Sequence, residues 1–137
     1  MLHLEIVTPE KKIFSDTVED VYLPGAEGEM GVLELHAALV SSLQAGELRY
    51  RKDGKTEELA IGNGFAEVTQ EKVVVLTDMA AGESEIDETK VEEALKRAEE
   101  KLAGIKHDDN LEEAAHLQAA IAQNMAKLKL KRKRRSL

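Results

Sequence analysis

Hydrophobic spacing in this chain changes period once, after Gly82, and no other feature restricts its fold more. Before that point apolar residues recur at alternate positions. Leu2, Leu4 and Ile6 alternate with His3, Glu5 and Val7, which marks a half-buried strand. Val18, Val21 and Leu23 follow, and Gly46 to Arg51 alternates again, with Leu48 and Tyr50 on one face. Asp53-Gly54 is a two-residue hairpin turn. Leu59, Ile61, Phe65, Val68 and the run Val73 to Leu76 supply further short strands, punctuated by Gly25, Gly28, Gly31, Gly62 and Gly64. Closely spaced strands with turn signals predict a β-sandwich or barrel over residues 1–84, with about ten short strands.

Beyond Gly82 the period becomes helical. Asp87 is placed to cap a helix in which Val91, Ala94, Leu95, Ala98 and Leu102 share one face, and Gly104 ends it. After a polar link, Asp109 and Glu112 have the spacing of a capping box. Leu111, Ala114, Gln118, Ile121, Met125 and Leu128 then form a narrow seam. Residues 85–137 are therefore expected to form an antiparallel helical hairpin. Its Ala-rich seam buries little area, at roughly 25 cal/mol per Å². The pattern permits a hairpin that stays on the sandwich and one that leaves it.

Chemistry is limited by what the chain lacks. With no cysteine among 137 residues, disulfides, thiolate metal sites and thiol catalysis are excluded. No two of the four histidines lie three or four residues apart, so no metal site is expected. No serine stands in a Gly-x-Ser-x-Gly setting, and helical acids such as Glu92 and Glu93 face Lys96 and Arg97 one turn on. No enzyme activity is expected. No apolar run reaches the roughly 18 residues of a membrane span. The first residues do not read as a signal peptide, which points to the cytoplasm or a cytoplasm-facing assembly.

Charge is divided unevenly. Lys127, Lys129, Lys131, Arg132, Lys133, Arg134 and Arg135 form an acid-free tail; the other 12 basic residues face all 27 acids, so residues 1–126 carry −15. The tail suits RNA, an anionic membrane or an acidic protein patch. No aromatic side chain interleaves it for base stacking, which disfavours nucleic acid. Gly25 to Gly31 lacks the Gly-Lys-Ser/Thr ending of a phosphate loop and carries two acids. It reads as a pair of tight turns or as an acidic loop facing a partner.

Leu23-Pro24-Gly25-Ala26-Glu27-Gly28-Glu29-Met30-Gly31-Val32-Leu33 with His36-Ala37 resembles the signature region of the epsilon subunits of F-type ATP synthases. Gly46-Glu47-Leu48-Arg49 and Gly62-Asn63-Gly64-Phe65-Ala66-Glu67-Val68 resemble the same family, as does the order of strands then hairpin. The resemblance covers essentially the whole chain. It implies a non-catalytic rotor subunit of a proton- or sodium-translocating synthase, peripheral on the cytoplasmic face of a bacterial inner membrane or on the plastid equivalent. Its partners would be the gamma subunit, the c-ring and the α and β subunits. The resemblance assigns Glu27, Gly28 and Glu29 to the c-ring, and His36, Ala37 and Leu39 to gamma. It assigns the cluster from Lys127 to Arg135 to an acidic segment of β, through which the extended hairpin inhibits ATP hydrolysis.

Two departures from the family pattern stand out. Glu34-Leu35 and Ala37-Ala38 replace the family's Pro-Gly and Ala-Pro around the histidine. An ATP contact in some members maps to Ile86, Asp87, Lys90 and Arg97, with Lys90 and Val91 in place of Arg-Ala. Gln123 and Lys127 stand where arginines of the second helix are expected. Lysine lacks the guanidinium fork, so ATP binding is expected to be weak or absent. The rival expectation is a free-standing sandwich whose tail attaches to RNA or anionic lipid.

Overall fold

In the computed structural model, which describes residues 1–33, 37–105 and 110–135, ten strands precede two helices. The strands are β1 (Leu2–Val7), β2 (Lys12–Val18), β3 (Asp20–Gly25), β4 (Gly28–Val32), β5 (Leu39–Leu43), β6 (Gly46–Lys52), β7 (Lys55–Ile61), β8 (Gly64–Val68), β9 (Lys72–Thr77) and β10 (Ala80–Gly82). A 3-10 turn at Glu83–Glu85 leads into α1 (Glu88–Ala103), and α2 spans Leu111–Arg135.

Hydrogen bonding runs in the order β10-β7-β6-β3-β5-β8-β9-β1-β2, with β4 paired to β3. All pairs are antiparallel except β1 with β9. Only the pair Gly25–Leu43 joins β3 to β5, and there the ladder passes from one layer to the other. Opposite that crossing, the Phe14 and Tyr50 rings lie 4.7 Å apart and Lys52 pairs with Asp16, which brings β2 against β6 and makes the sandwich a near-barrel. Leu2, Leu4 and Ile6 alternate inward on β1, as Val73 and Val75 do on β9, and all five are fully buried against Leu23, Leu48 and Ile61. This core takes no residue from either helix. The Asp53-Gly54 turn forms as expected, with φ of 52° and 76°, the left-handed pair that a two-residue hairpin requires.

Asp87 caps α1, its Oδ1 accepting the Lys90 N–H at 3.1 Å. Gly104 ends that helix with φ −84°, so the stop needs no left-handed glycine. The second helix departs from expectation in two ways. Asp109 lies outside the described residues, and the cap is Asn110, whose Oδ1 accepts the Glu113 N–H at 3.1 Å while its amide donates to the Glu113 carboxylate at 3.0 Å. The seam is also different. Leu111 and Met125 are 73% and 56% exposed and Gln118 is exposed, whereas Ala114, Leu117, Ala126, Leu128 and Leu130 are buried. An evenly spaced stripe suits one partner, but the C-terminal half of α2 has two. It lies between α1 and the outer face of β6 and β7, so residues on both sides of it, such as Ala126 and Leu128, are covered. Ala60 supplies that outer face, one residue before inward-facing Ile61.

Candidate functional site

The acidic loop is one hairpin turn, where the sequence allowed a pair of tight turns or an acidic loop facing a partner. Gly25 and Gly28 face each other across the β3–β4 ladder, leaving Ala26 and Glu27 at the tip. Gly28 has φ 134°, and a Cβ on Gly25 would lie 2.7 Å from the Gly28 carbonyl oxygen, so both glycines are required. The Ala26 N–H donates to the Ser42 carbonyl at 3.0 Å and ties the tip to β5. Glu27, Gly28 and Glu29 are exposed. Arg49 Nη2 donates to Glu29 Oε1 at 2.8 Å, and the guanidinium lies 5.0 Å from the Tyr22 ring centroid. Glu27 makes no ion pair among the described residues.

Beside this loop the outer face of β5, β8 and β9 exposes three large apolar side chains. Val40 is 71% exposed, Phe65 56% and Leu76 50%. The ladder sets Val40 opposite Glu67, Ser42 opposite Phe65 and Phe65 opposite Leu76, so Phe65 and Leu76 stand next to each other with Val40 on the same face. A hollow of about 360 Å³ lined by Val7, Pro9 and Leu76 continues the patch. Of the residues assigned to gamma, His36 lies outside the described residues, and Ala37 is exposed at the approach to β5. Leu39 is half-buried and turned toward the core. Val40, Phe65 and Leu76 are surface residues that the sequence reading did not single out. In Leu39-Val40 both neighbours are apolar, so alternation gave no sign of which faced out.

Of the four positions assigned to ATP, Asp87 caps α1 and Lys90 and Arg97 lie on that helix, with Ile86 just before the cap. Ile86 is 5% exposed, packed with Val91, Leu128 and Leu130. Asp87 is engaged as the helix cap. Lys90 and Arg97 are exposed, two turns apart on α1. Gln123 is half-buried over Gly62, and Lys127 is half-buried. Among the described residues no group of three or more His, Cys, Asp or Glu could hold a metal ion.

The basic end of α2 is folded back onto acids. Lys131 Nζ donates to the Glu83 carboxylate at 3.0 Å and to the Glu83 carbonyl at 3.3 Å. Arg132 donates from Nε to Glu88 at 3.0 Å and from Nη2 to Glu92 at 2.8 Å, which raises its already high pKa. These partners on the first turns of α1 make the hairpin antiparallel. Lys133 donates to Glu47 at 3.1 Å and Glu58 at 2.9 Å. Lys127 and Lys129 make no ion pair among the described residues. Arg134 and Arg135 end α2, and their side chains lie outside the described residues.

Comparison with known proteins agrees with this architecture. The family described as ATP synthase, delta/epsilon chain, beta-sandwich domain matches residues 1–83. The ATP synthase epsilon chain of Nitratidesulfovibrio vulgaris is 45% identical over 122 residues, which span 88% of this chain and 91% of that protein. The epsilon chain of Dehalococcoides mccartyi is 42% identical over 134 residues, 98% of this chain and 94% of that one. A chain in the solved OSCP/F1/c-ring assembly of the Euglena gracilis mitochondrial ATP synthase superposes with a TM-score of 0.75 at 26% identity, covering 91% of this chain and 78% of that chain. Sequence and fold lead to one assignment, with the rival free-standing module left unsupported: the chain belongs to the ATP synthase epsilon family.

Proposed function

We propose that the chain is a non-catalytic central-stalk subunit that couples rotation to catalysis and restrains ATP hydrolysis through its helical hairpin. The observation that carries the reading is the division of the sandwich between its two outer faces. One carries exposed apolar side chains and adjoins the acidic loop; the other is occupied by a hairpin held by an apolar cluster together with ion pairs to Glu47, Glu58 and Glu83. A permanent partner suits the first, and a part that comes and goes suits the second.

In this reading gamma sits against Val40, Phe65 and Leu76, close to Ala37 and Leu39, with His36 on the segment leading to them. Glu27, Gly28 and Glu29 face the c-ring. When released, the cations from Lys127 to Arg135 engage an acidic segment of the β subunit. The subunit works on the cytoplasmic face of a bacterial inner membrane, without binding nucleic acid, and meets the membrane only through the complex. ATP binds weakly or not at all, since Ile86 is buried and Asp87 is committed to its cap.

The test is ATP hydrolysis by a purified α-β-gamma complex titrated with the full chain and with a version ending at Glu85. The sandwich core is independent of the helices, so the shortened chain is expected to fold. Inhibition by the full chain alone, with both forms binding the complex, supports the reading. Failure of both to bind removes it.

A further inference from the structure

We infer that Glu47, Glu58 and Glu83 form an acidic receptor for the end of α2, and that docking of the hairpin is an ionic latch on the cations it would offer elsewhere. The inference rests on the proposed release of the hairpin.

Three successive residues of a helix point about 100° apart. Lys131, Arg132 and Lys133 nonetheless each meet carboxylate. Lys131 meets the 3-10 turn, Arg132 meets α1, and Lys133 meets the sheet. The helix end is thus held from three sides. On the sheet the arrangement is selective. The ladder places Arg49 directly opposite Glu58, yet Arg49 makes its ion pair with Glu29. That leaves Glu58 for Lys133. The Glu58 side chain is 9% exposed and that of Glu47 20%, and both accept from the same ammonium. When Lys133 departs, Glu47 and Glu58 remain close together without the cation they share, so release has an electrostatic cost that docking removes.

The contact has an apolar part as well as an ionic one. Ala126, Leu128 and Leu130 cluster with Ala60, Met79, Ala81 and Ile86, and Glu47, Arg49, Arg51 and Glu58 make up the charged part of the same sheet face. Ionic contacts on such a face are screened by salt, whereas apolar ones are not weakened by it. The latch also divides the tail: while docked, Lys131, Arg132 and Lys133 are taken, and Lys127 and Lys129 are without ion pairs among the described residues.

The experiment is hydrogen exchange of the α2 amides in the isolated full chain, for the wild type and for the double variant E47Q/E58Q. E57Q, at an exposed position of the same strand facing away from Lys133, is the control. Salt is raised from about 0.1 M to about 1 M, which shortens the Debye length from about 10 Å to about 3 Å. The latch predicts exchange roughly threefold to tenfold faster in E47Q/E58Q than in E57Q or wild type at low salt. It predicts the same acceleration of wild type by salt and little further effect of salt on the double variant. Amides of β1 and β9 stay protected throughout. Exchange in α2 that ignores both salt and E47Q/E58Q overturns the inference. Hydrolysis by the α-β-gamma complex separates it from the reading beneath it. Stronger inhibition by E47Q/E58Q supports both, while faster exchange with unchanged inhibition keeps the latch and removes the released hairpin as the brake.

Discussion

Arg49 on β6 holds Glu29 on β4, Nη2 to Oε1 at 2.8 Å, across the strand that lies between them. The acidic loop is therefore braced from the far side of β3, and its orientation does not depend on the turn alone. Both ends of the pair are partly exposed, at 34% and 58%, so its contribution to stability is small. Arg49→Ala is expected to change the unfolding free energy by less than about 1 kcal/mol, read from urea midpoints. Binding to the assembled rotor is expected to weaken by more than that, because Glu29 then loses its fixed direction.

Leu4 and Leu130 are both fully buried but belong to separate cores. Leu4→Ala is expected to cost about 2–5 kcal/mol of global stability. Leu130→Ala should instead accelerate exchange along α2 while leaving the melting of the sandwich nearly unchanged. A large loss of sandwich stability from Leu130→Ala would show that the two cores unfold as one.

Gly62 and Gly64 flank Asn63 but resist substitution differently. A Cβ on Gly64 would lie 1.9 Å from the Leu76 carbonyl oxygen and 2.9 Å from the Thr77 Cα, both backbone atoms of the paired strand. One on Gly62 would meet the side-chain ends of Asp78 at 1.8 Å and Gln123 at 3.2 Å, which can swing away. Gly64→Ala is expected to destabilise by about 1–3 kcal/mol. Gly62→Ala should cost less, and should appear as faster exchange near Gln123. Thermal unfolding and site-resolved exchange distinguish the two.

Asp16 carries a pH dependence. Its carboxylate accepts from Lys52 and from the Thr17 N–H at 2.7 Å, and these bonds hold its pKa below the ordinary value of 3.8. A group depressed in the folded state stabilises above its unfolded pKa and loses that contribution as pH falls through the folded one. Asp16→Asn should therefore flatten the acid side of the stability profile below about pH 4 and leave its shape near neutrality unchanged. Urea midpoints measured from pH 7 down to about pH 2 check this, and a wild-type slope retained in Asp16→Asn would contradict it.

Much of this molecule follows from local spacing. Alternation in Leu2, Leu4 and Ile6 is enough to give a strand and its buried face, because side chains of a strand have no third direction. Asp53-Gly54 specifies its turn because few residue pairs tolerate two positive φ values. Asp87 specifies the start of α1 through its own side chain. The Glu27 tip and the cations of the tail were legible for the same reason, since their charge and glycine pattern lie within a few residues. Three features required the tertiary structure. Met125 is exposed and Leu130 buried because α2 meets α1 and a sheet together, a geometry that no single period encodes. Val40, Phe65 and Leu76 come to share one face only when β5, β8 and β9 are paired, from positions far apart in the chain. Lys133 meets Glu47 and Glu58 across more than seventy residues, so that contact exists only after the sandwich has formed the surface that receives it.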